Sequence, residues 1–220
     1  MSLVLYAHPF SSYCQKALIA LYENDVPFEF RMLDGEHPEA FAELTAIWPL
    51  GKFPVLVDGG RPVIEASVII EHLQAFHPGP VKLIPDDPRE ALEVRFMDRV
   101  FDNYVMNVQQ KLVEDALRPS GAVRDPLGVA KARGALETIY AWLDARMQGR
   151  PWAAGERFSL ADCAAGPSLF YADWSHPIDE AFAALKAYRA RLNARPSFAR
   201  AIEAGRPYRA FFPLGAPDRD

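Results

Sequence analysis

Residues 5–16 read LYAHPFSSYCQK, and this stretch carries the clearest structural signal in the chain. The apolar run at residues 3–6 predicts a short buried strand. Two serines follow after a turn, and because serine caps helix N-termini, we expect a helix from there to about Asn24. Such a helix tip presents unpaired N–H groups and the positive end of the helix dipole, which together stabilise an anion.

The spacing of polar residues at this helix tip suggests thiol chemistry. Thioredoxin-like redox proteins place Cys-x-x-Cys at such a turn, and the same spacing here reads Ser11-Ser12-Tyr13-Cys14. A hydroxyl cannot form a disulfide, but it can donate a hydrogen bond to the thiolate of another molecule. Ser11 and Ser12 are therefore candidates for activating an external thiol, and the alternative is that they only cap the helix.

The first third of the chain alternates strands and helices. Apolar runs and turn signals predict strands at residues 28–32, 55–57 and 62–64, and helices at residues 37–46 and 68–76. Asp58-Gly59-Gly60, between the last two strands, is a hairpin signal. The order of elements is βαβ-α-ββ-α, which we assign to a domain of residues 1–78.

A proline-rich segment then separates this domain from a helical one. Four prolines between residues 77 and 88 predict an extended linker, which we place at residues 79–88. Apolar residues recur every four positions from Leu92 to Leu112 and predict one long helix. Further helices are predicted at residues 129–147, from Ser159, near Asp179 and after Pro196. Residues 89–220 should therefore form an all-α domain.

Composition limits the possible functions. Half of the residues are hydrophobic, enough for a sizeable core. The net charge is -5, so we expect no nucleic-acid partner, and we interpret the arginines at residues 189–200 as a solvated helix face. Two cysteines are too few for a disulfide scaffold or a zinc site, so we expect no metal. We recognise no signal peptide and no membrane-spanning stretch in the sequence. We therefore expect a soluble cytoplasmic protein without a membrane partner.

A second informative segment, GKFPVLV at residues 51–57, places a proline directly before a short strand. Proline cannot donate to a sheet ladder, so its presence there needs an explanation. One explanation is a cis bond between Phe53 and Pro54, which would turn the N–H and C=O of Phe53 outward to pair with an extended peptide. An ordinary turn proline at a strand edge is the other.

A third segment, IEAS at residues 64–67, opens a helix after the predicted hairpin. The Glu65 carboxylate can bind an ammonium group, while the N–H groups of Ala66 and Ser67 and the Ser67 hydroxyl can bind a carboxylate. Together these groups would suit the head group of an amino acid. A plain helix cap is the alternative.

A fourth segment, GERFSLAD at residues 155–162, contains a folding signal. Ser159 and Asp162 have the spacing of a capping box, in which each side chain satisfies a backbone N–H of the other residue. We assign Asp162 a structural role and no catalytic one.

In this order along the chain, these segments resemble the cytosolic glutathione transferase superfamily, and the resemblance spans nearly the whole chain. The serine turn resembles its catalytic segment, residues 52–56 its cis-proline segment, residues 65–73 its glutamyl-binding helix, and residues 195–198 its final helix. The resemblance implies an α/β thioredoxin-like N-terminal domain followed by an all-α domain. It also implies glutathione as co-substrate without a metal, and a homodimer.

The resemblance implies roles for individual residues. The implied glutathione-binding residues are Lys52, Phe53, Pro54, Glu65, Ala66 and Ser67. Phe53 would pair through its backbone with the cysteinyl part of glutathione, and Glu65 with the following residue would hold the γ-glutamyl head group. Ser11 falls where bacterial-type members with a serine- or cysteine-like active site carry the residue that contacts the thiol. Tyrosine-type members use a tyrosine at the end of the first strand, which makes Tyr6 the rival candidate.

The sequence departs from the family pattern at two positions. Most members have Ser directly after the acid, where this chain has Ala66 with Ser67 one position later, and this departure bears on glutathione affinity. The position after the catalytic serine is often Pro, so the presence of Ser12 leaves two hydroxyls, those of Ser11 and Ser12, that can contact the thiol. The two serines resemble the serine pair of the isomerase group, but Tyr13 stands where that group has cysteine.

The function implied is glutathione conjugation, as in detoxification. The thiolate formed at the tip of the first helix would attack a small hydrophobic electrophile, in a pocket of the helical domain that we expect Phe10 and Tyr104 to line. Three alternatives stand beside it. They are a glutathione-dependent isomerase or dehalogenase, a non-catalytic member that binds other proteins, and a thiol transferase that uses Cys14.

Overall fold

A computed structural model describes residues 3–220, and the N-terminal part is built on one mixed four-stranded sheet. The strands are β1 (Leu3–Ala7), β2 (Glu29–Met32), β3 (Val55–Asp58) and β4 (Arg61–Ile64). Their order is β2-β1-β3-β4, with β1 parallel to β2 and antiparallel to β3, and β3 antiparallel to β4. The predicted hairpin and the predicted thioredoxin-like fold are both confirmed.

Helices cover the sheet and make up the rest of the described chain. They are α1 (Ser12–Glu23), α2 (Pro38–Ile47), α3 (Ala66–Phe76), α4 (Pro88–Val100), α5 (Asn107–Ala116), α6 (Pro126–Met147), α7 (Leu160–Ser175), α8 (Ala183–Asn193) and α9 (Pro196–Gly205). A π-helical segment, Phe101–Met106, joins α4 to α5, and a 3-10 segment, Arg206–Phe211, follows α9. The all-α second part is therefore confirmed. None of the helices within residues 3–220 is long and apolar enough to cross a membrane.

The sheet separates two helical layers, and strand alternation decides which layer each β1 side chain contacts. Leu5 and Ala7 belong to the main core, which includes α1 and α3. Tyr6 belongs to a smaller core with α2, and its hydroxyl donates to Glu43 Oε2 at 3.0 Å. Tyr6 therefore lies on the α2 side of the sheet, opposite the side on which α1 packs.

Helix α7 is the central element of the helical part, because every one of its residues is buried. It packs against α1, so one continuous core runs through both parts of the molecule. Its N-terminus carries the predicted capping box, in which Asp162 accepts from the N–H of Ser159 at 2.9 Å. Asp162 also accepts from the Ala153 N–H at 2.9 Å and from the Tyr188 hydroxyl at 2.6 Å. Its predicted structural role is confirmed.

The segment between α3 and α4 is a connection that is anchored along its length. Leu83 and Ile84 are buried. The N–H of Leu160 donates to the C=O of Leu83 at 2.9 Å, and the Gln74 side chain bonds both backbone groups of Ile84 at 2.8 Å. The predicted linker is therefore a packed segment that is fixed to both parts of the molecule.

The long helix predicted from Leu92 to Leu112 forms, but two of its features differ from the prediction. The π-helical segment interrupts it. The four-residue recurrence also does not follow one face, since Leu92, Phe96 and Tyr104 are 66%, 48% and 57% exposed while Val100 and Leu112 are buried. The periodicity thus identified the helix correctly, but it did not identify which residues of the helix are buried.

The arginines around α8 and α9 form only part of the solvated face that was predicted, since Arg191 and Arg200 are exposed and Arg189 and Arg195 are half-buried. Arg195 forms two hydrogen bonds with Glu23 of α1, at 2.6 and 2.5 Å, and its guanidinium lies 3.8 Å from the centroid of the Phe158 ring. The Arg200 guanidinium lies 3.9 Å from the centroid of the Tyr22 ring. Because Glu23 and Tyr22 belong to α1, these arginines connect the two parts of the molecule.

Candidate functional site

A cleft runs between the sheet part and the helical part, where two neighbouring cavities of about 330 and 480 Å³ open. Residues that were selected from the sequence line both cavities. The first cavity is lined by Pro54, Glu65 and Ala66, and the second by Phe10, Ser11 and Ser12. Lys52 and Phe53 line both. Tyr13 and Asn107 also line both cavities. Because the cavities share these four residues, the cleft reaches from Ser11 to Glu65.

The tip of α1 opens onto this cleft. Ser11 is its N-cap residue, and the Ser11 Oγ lies 3.5 Å from the backbone nitrogen of Cys14, which it caps. The N–H groups of Ser12 and Tyr13 have no hydrogen-bond partner among residues 3–220. A hydroxyl that accepts a capping hydrogen bond still has a proton to donate. The Ser11 hydroxyl can therefore cap the helix and donate to an anion at the same time. The tip is therefore suited to hold an anion.

Tyr13 is a cleft residue that the sequence analysis did not select. It lines both cavities. Burial raises the pKa of its hydroxyl to about 12, so the hydroxyl keeps its proton near neutral pH and can donate a hydrogen bond. Its place in the first turn of a helix whose tip was expected to bind an anion was the signal that could have identified it.

Cys14 lies behind the helix tip and is completely buried. The N–H of His8 donates to its Sγ at 3.5 Å, and burial raises the pKa of the thiol to about 12. The thiolate is the reactive form of cysteine, so this thiol is both inaccessible and protonated near neutral pH. The alternative of a thiol transferase that uses Cys14 is therefore wrong.

Phe53 provides free backbone groups along the cleft. The Phe53-Pro54 peptide bond is cis, as one of the two interpretations of this segment predicted. In the described part of the chain, neither the N–H nor the C=O of Phe53 has a hydrogen-bond partner. Since Phe53 lines both cavities, an extended peptide in the cleft can pair with these groups.

Helix α3 begins at a second helix tip in the cleft. Glu65, the residue before it, has a φ of 78°, which places a non-glycine residue in the left-handed region. Such a conformation costs about 1–3 kcal/mol and is found mainly where binding sites require it. The N–H groups of Ala66, Ser67 and Val68 have no partner among the residues described. This tip can therefore bind a carboxylate, as predicted from the sequence.

The Ser67 hydroxyl is placed differently from the prediction. It donates to Asp98 Oδ2 at 2.9 Å and accepts from Lys16 Nζ at 2.8 Å. Lys16 is almost fully buried and pairs with Asp98 at 2.5 Å and with Asp102 at 2.7 Å. Ser67 thus belongs to a charged cluster that connects α1, α3 and α4, and the residue after Glu65 that lines the cleft is Ala66.

The same charged cluster reaches the cleft through Arg99 and Asp102, which line the first cavity. Arg99 pairs with Asp98 at 2.5 Å and with Asp102 at 2.7 Å. Burial raises the pKa of Asp102, and the nearby Lys16 charge opposes this rise. The sequence analysis missed both residues because they fall between the apolar positions that defined the long helix.

Tyr6 and Tyr104 do not line either cavity of the cleft. The Tyr6 hydroxyl is bonded to Glu43 on the far side of the sheet, and burial raises its pKa. Tyr104 instead lines an open apolar groove on the outside of the helical part, together with Phe96 and Trp142. Neither tyrosine therefore stands where the sequence analysis expected it, because packing turned each side chain to the other face of its element.

Phe10 lines the second cavity, as expected. Its ring meets that of Tyr171 edge-on, with centroids 5.4 Å apart, and the Tyr171 hydroxyl donates to the Phe10 C=O at 2.8 Å. Phe211 and Phe212, which follow α9, line the same cavity. The chain before Ser11 is thus held against the helical part, and the second cavity has aromatic walls from both parts.

Metal-binding side chains converge elsewhere. Within residues 3–220, one group of at least three such side chains comes together, namely Asp58, His72 and His77. It lies at the end of α3 away from the cleft. The sequence analysis expected no metal site, and the five-residue spacing of the two histidines gave no sign of one.

This fold and this cleft define the class: a thioredoxin-like part with two helix tips that open onto the cleft with free N–H groups, joined to an all-α part. Two family models match the chain, that of the glutathione S-transferase N-terminal domain over residues 5–81 and that of the C-terminal domain over residues 112–191. The chain therefore belongs to the glutathione S-transferase superfamily, and the resemblance seen in its motifs is confirmed.

The relatives of this chain include proteins with different functions in their names. FtsZ-localized protein A of Caulobacter vibrioides is 31% identical over 206 residues, which cover 88% of each chain. A probable maleylacetoacetate isomerase of Vibrio cholerae is 29% identical and covers 94% of this chain and 98% of its own. A glutathione S-transferase from Methylobacterium radiotolerans, solved in complex with glutathione sulfonate, is 29% identical with a TM-score of 0.78, over 92% of this chain and 95% of that one.

Proposed function

We propose that the chain is a glutathione transferase that activates the thiol of glutathione as a thiolate for attack on a small hydrophobic electrophile. The observation that carries this proposal is the cleft from Ser11 to Glu65, onto which two helix tips open. The relative that holds glutathione sulfonate supports the same ligand for this cleft.

The cleft offers a partner for each part of the tripeptide. The γ-glutamyl carboxylate accepts from the free N–H groups at the tip of α3, and the ammonium group pairs with Glu65. The cysteinyl backbone pairs with the free N–H and C=O of Phe53. Lys52, which is exposed beside Phe53, suits the glycyl carboxylate. The thiol then reaches the tip of α1.

The tip of α1 provides enough stabilisation to ionise the thiol. A free thiol has a pKa of about 8.5, and lowering it by about two units requires about 2.7 kcal/mol. A charge-assisted hydrogen bond from the Ser11 hydroxyl contributes about 1.5–3 kcal/mol, and a helix end up to about 2 kcal/mol. The free N–H groups of Ser12 and Tyr13 face the same anion. These terms together meet the requirement.

The electrophile binds in the second cavity. Phe10 and Phe212 provide apolar contact area there, and Tyr13 can donate its hydroxyl proton to an oxygen of the substrate. A second substrate held there lies next to the thiolate, since Ser11 lines the same cavity. We infer a substrate that is small and hydrophobic because the cavity volume is about 480 Å³ and its walls are aromatic.

Glutathione titration combined with a conjugation assay tests this proposal. Calorimetry should show binding of glutathione at millimolar concentration or below, and a model aryl halide should be conjugated faster than without enzyme. Heat of binding without turnover of any aryl halide, enone or epoxide would favour the isomerase alternative. The absence of both heat and thermal stabilisation would contradict glutathione binding altogether.

A non-catalytic protein-binding role is the second candidate. Two observations favour it: the 31% identity to FtsZ-localized protein A, and the methyl group of Ala66 where most members have a serine hydroxyl. The isomerase alternative has the Vibrio cholerae relative and the Ser11-Ser12 pair in its favour. The titration above separates these two alternatives. The protein-binding role predicts no glutathione binding, whereas the isomerase role predicts glutathione binding with isomerase turnover.

Assembly and location complete the proposal. We infer a homodimer, supported by the open apolar groove with Phe96, Tyr104 and Trp142, since large exposed apolar patches mark interfaces. We propose a cytoplasmic location, in keeping with two free cysteines. The functional units proposed are residues 1–78 for glutathione and residues 89–220 for the electrophile, joined by residues 79–88.

A further inference from the structure

Three metal-ligand side chains converge at the end of the sheet part that lies away from the cleft. Asp58 ends β3, His72 lies in the second half of α3, and His77 follows the last residue of α3. The Nε2 atoms of His72 and His77 lie 2.9 and 2.7 Å from the same oxygen, Oδ2 of Asp58. All three ligand atoms lie within 4.8 Å of one another.

The end of α3 creates this convergence. Residues five positions apart on a continuous helix do not share a face, because neighbours on one face are three or four positions apart. Helix α3 ends at Phe76, and His77 has a φ of -134° and a ψ of 52°. The chain leaves the helix there, and the two imidazole rings come to lie 5.9 Å apart, centroid to centroid.

The site is separate from the cleft. Helix α3 has 11 residues, so its two ends are about 16 Å apart. Its first residue, Ala66, lines the cleft, whereas His77 follows its other end and His72 lies about 9 Å along the axis from Ala66. An ion bound there would not touch glutathione or an electrophile.

We propose that Asp58, His72 and His77 bind one divalent transition-metal ion of the zinc type, with a fourth coordination position open to water. Two imidazoles and one carboxylate are the donor set that zinc accepts, and imidazole donors also suit copper and nickel. The side chains are 17%, 13% and 29% exposed, so an ion can reach them from solvent.

The distances fit this coordination. Zinc bonds nitrogen and carboxylate oxygen at about 2.0–2.2 Å, so neighbouring ligand atoms of a tetrahedral site are about 3.3 Å apart. The observed separations, from 2.7 Å to at most 4.8 Å, bracket that value. In the absence of an ion, the two imidazoles donate hydrogen bonds to Asp58 instead. Binding therefore replaces two hydrogen bonds to one oxygen with three bonds to the ion.

A bound ion would join three separate parts of the chain by metal–ligand bonds. Asp58 precedes the β3–β4 turn, His72 is on α3, and His77 begins the segment that leads to the helical part. A ligand that binds the folded state alone raises the melting temperature. At a hundredfold excess over Kd, the expected rise for a chain of this length is about 5–10 °C.

Zinc titration of the full-length, tag-free protein tests the proposal. After treatment with a chelator, calorimetry with zinc alone should give one equivalent bound, and zinc should raise the melting temperature. Co²⁺ should produce the visible absorption of a nitrogen- and oxygen-coordinated site in the wild type. His77→Gln and Asp58→Asn should each weaken zinc binding by about tenfold or more.

His37→Gln is the matched control. His37 also bonds a single carboxylate, Asp34, at 2.6 Å, but no second histidine joins that pair. Its zinc affinity should equal that of the wild type. The proposal is overturned if the wild type shows neither heat nor a thermal shift at millimolar zinc. It is equally overturned if His77→Gln and His37→Gln bind zinc with the same affinity. Circular dichroism of both variants should be measured as well, to show that each is folded.

Discussion

Ser11 and Ser12 are adjacent at the tip of α1, but their environments differ. Ser11 is the cap residue, with its Oγ near the Cys14 nitrogen, whereas Ser12 is the first residue of the helix proper. Both line the second cavity. The cap position holds the Ser11 hydroxyl in a defined orientation, so it is the better placed of the two to donate to a thiolate.

Ser11→Ala should lower the kcat/KM for conjugation by about tenfold or more, because it removes a charge-assisted hydrogen bond of about 1.5–3 kcal/mol. Ser12→Ala is the control and should have a smaller effect. The loss of the cap should also reduce stability by about 1 kcal/mol, so rates should be measured well below the melting temperature. Full activity of Ser11→Ala, with activity lost in Ser12→Ala, would assign the role to Ser12.

Ala66 is the residue that limits glutathione affinity in the proposed complex. Ala66→Ser should place a hydroxyl in the first cavity beside the expected γ-glutamyl carboxylate and tighten glutathione binding by about tenfold, since one such bond is worth about 1.5–3 kcal/mol. Val68→Ser, on an exposed position of the same helical turn, is the control and should leave Kd unchanged. Equal Kd values for all three proteins in calorimetry would mean that the carboxylate binds elsewhere.

At the scale of elements, the long helix shows that a four-residue recurrence can identify a helix without identifying its buried face. Of its apolar residues at four-residue intervals, Leu92, Phe96 and Tyr104 are exposed, whereas Val100 and Leu112 are buried. Its buried side carries Asp98 and Asp102, which are satisfied by Lys16 from α1 and by Arg99. Hydrophobic periodicity does not select these two carboxylates, because the pattern records apolar positions only.

Arg195 ties α9 to α1 and should be important for the contact between the two parts. Arg195→Ala should lower the free energy of unfolding by about 2–3 kcal/mol, through loss of the bonds to Glu23 and of the contact with the Phe158 ring. Lys82→Ala is the control. It removes an exposed ion pair with Asp86 and should change the free energy of unfolding by at most about 1 kcal/mol. Urea unfolding of both variants measures the difference, and similar losses would rule out a special role for Arg195.

At the scale of the whole molecule, the free energy of unfolding should depend on pH through two histidines, His8 and His37, with opposite signs. Burial lowers the pKa of His8, so folding favours its neutral form, and stability is lost as pH falls below about 6.5 through the folded pKa. The hydrogen bond to Asp34 raises the pKa of His37, so its contribution is complete below about 6.5 and is lost as pH rises through the folded pKa.

Relative to wild type, His8→Gln should therefore become more stable as the pH is lowered from about 7.5 to about 5.5, and His37→Gln less stable. Urea midpoints at the two pH values measure both changes. A shift of the same sign in the two variants would contradict the assigned pKa directions.

The outer groove of the helical part is the expected contact between two copies. Trp142→Glu places a charge among Phe96 and Tyr104, so it should convert the dimer to a monomer in light scattering. Val123→Glu alters a more exposed residue outside this groove, and should remain dimeric. A monomeric wild type at micromolar concentration would refute the dimer.

Much of the architecture and the cleft could be predicted because the relevant signals are local. The cap at Ser11, the Phe53-Pro54 bond, the tip at Glu65 and the capping box at Asp162 each depend on interactions within a few residues, and each is found where predicted. Arg99 and Asp102 were missed because their place in the cleft depends on how the long helix packs against the sheet part.

The sequence by itself determined the order of elements, their type, and the two helix tips with the peptide edge between them, because backbone conformation and capping are settled by near neighbours. Only the tertiary structure decided which way individual side chains face. It turned Tyr6 toward α2, Ser67 into the charged cluster and Tyr104 outward, and it brought His72 and His77 together at Asp58. The physical reason is that these environments are formed by residues distant in sequence, which meet only when the elements pack.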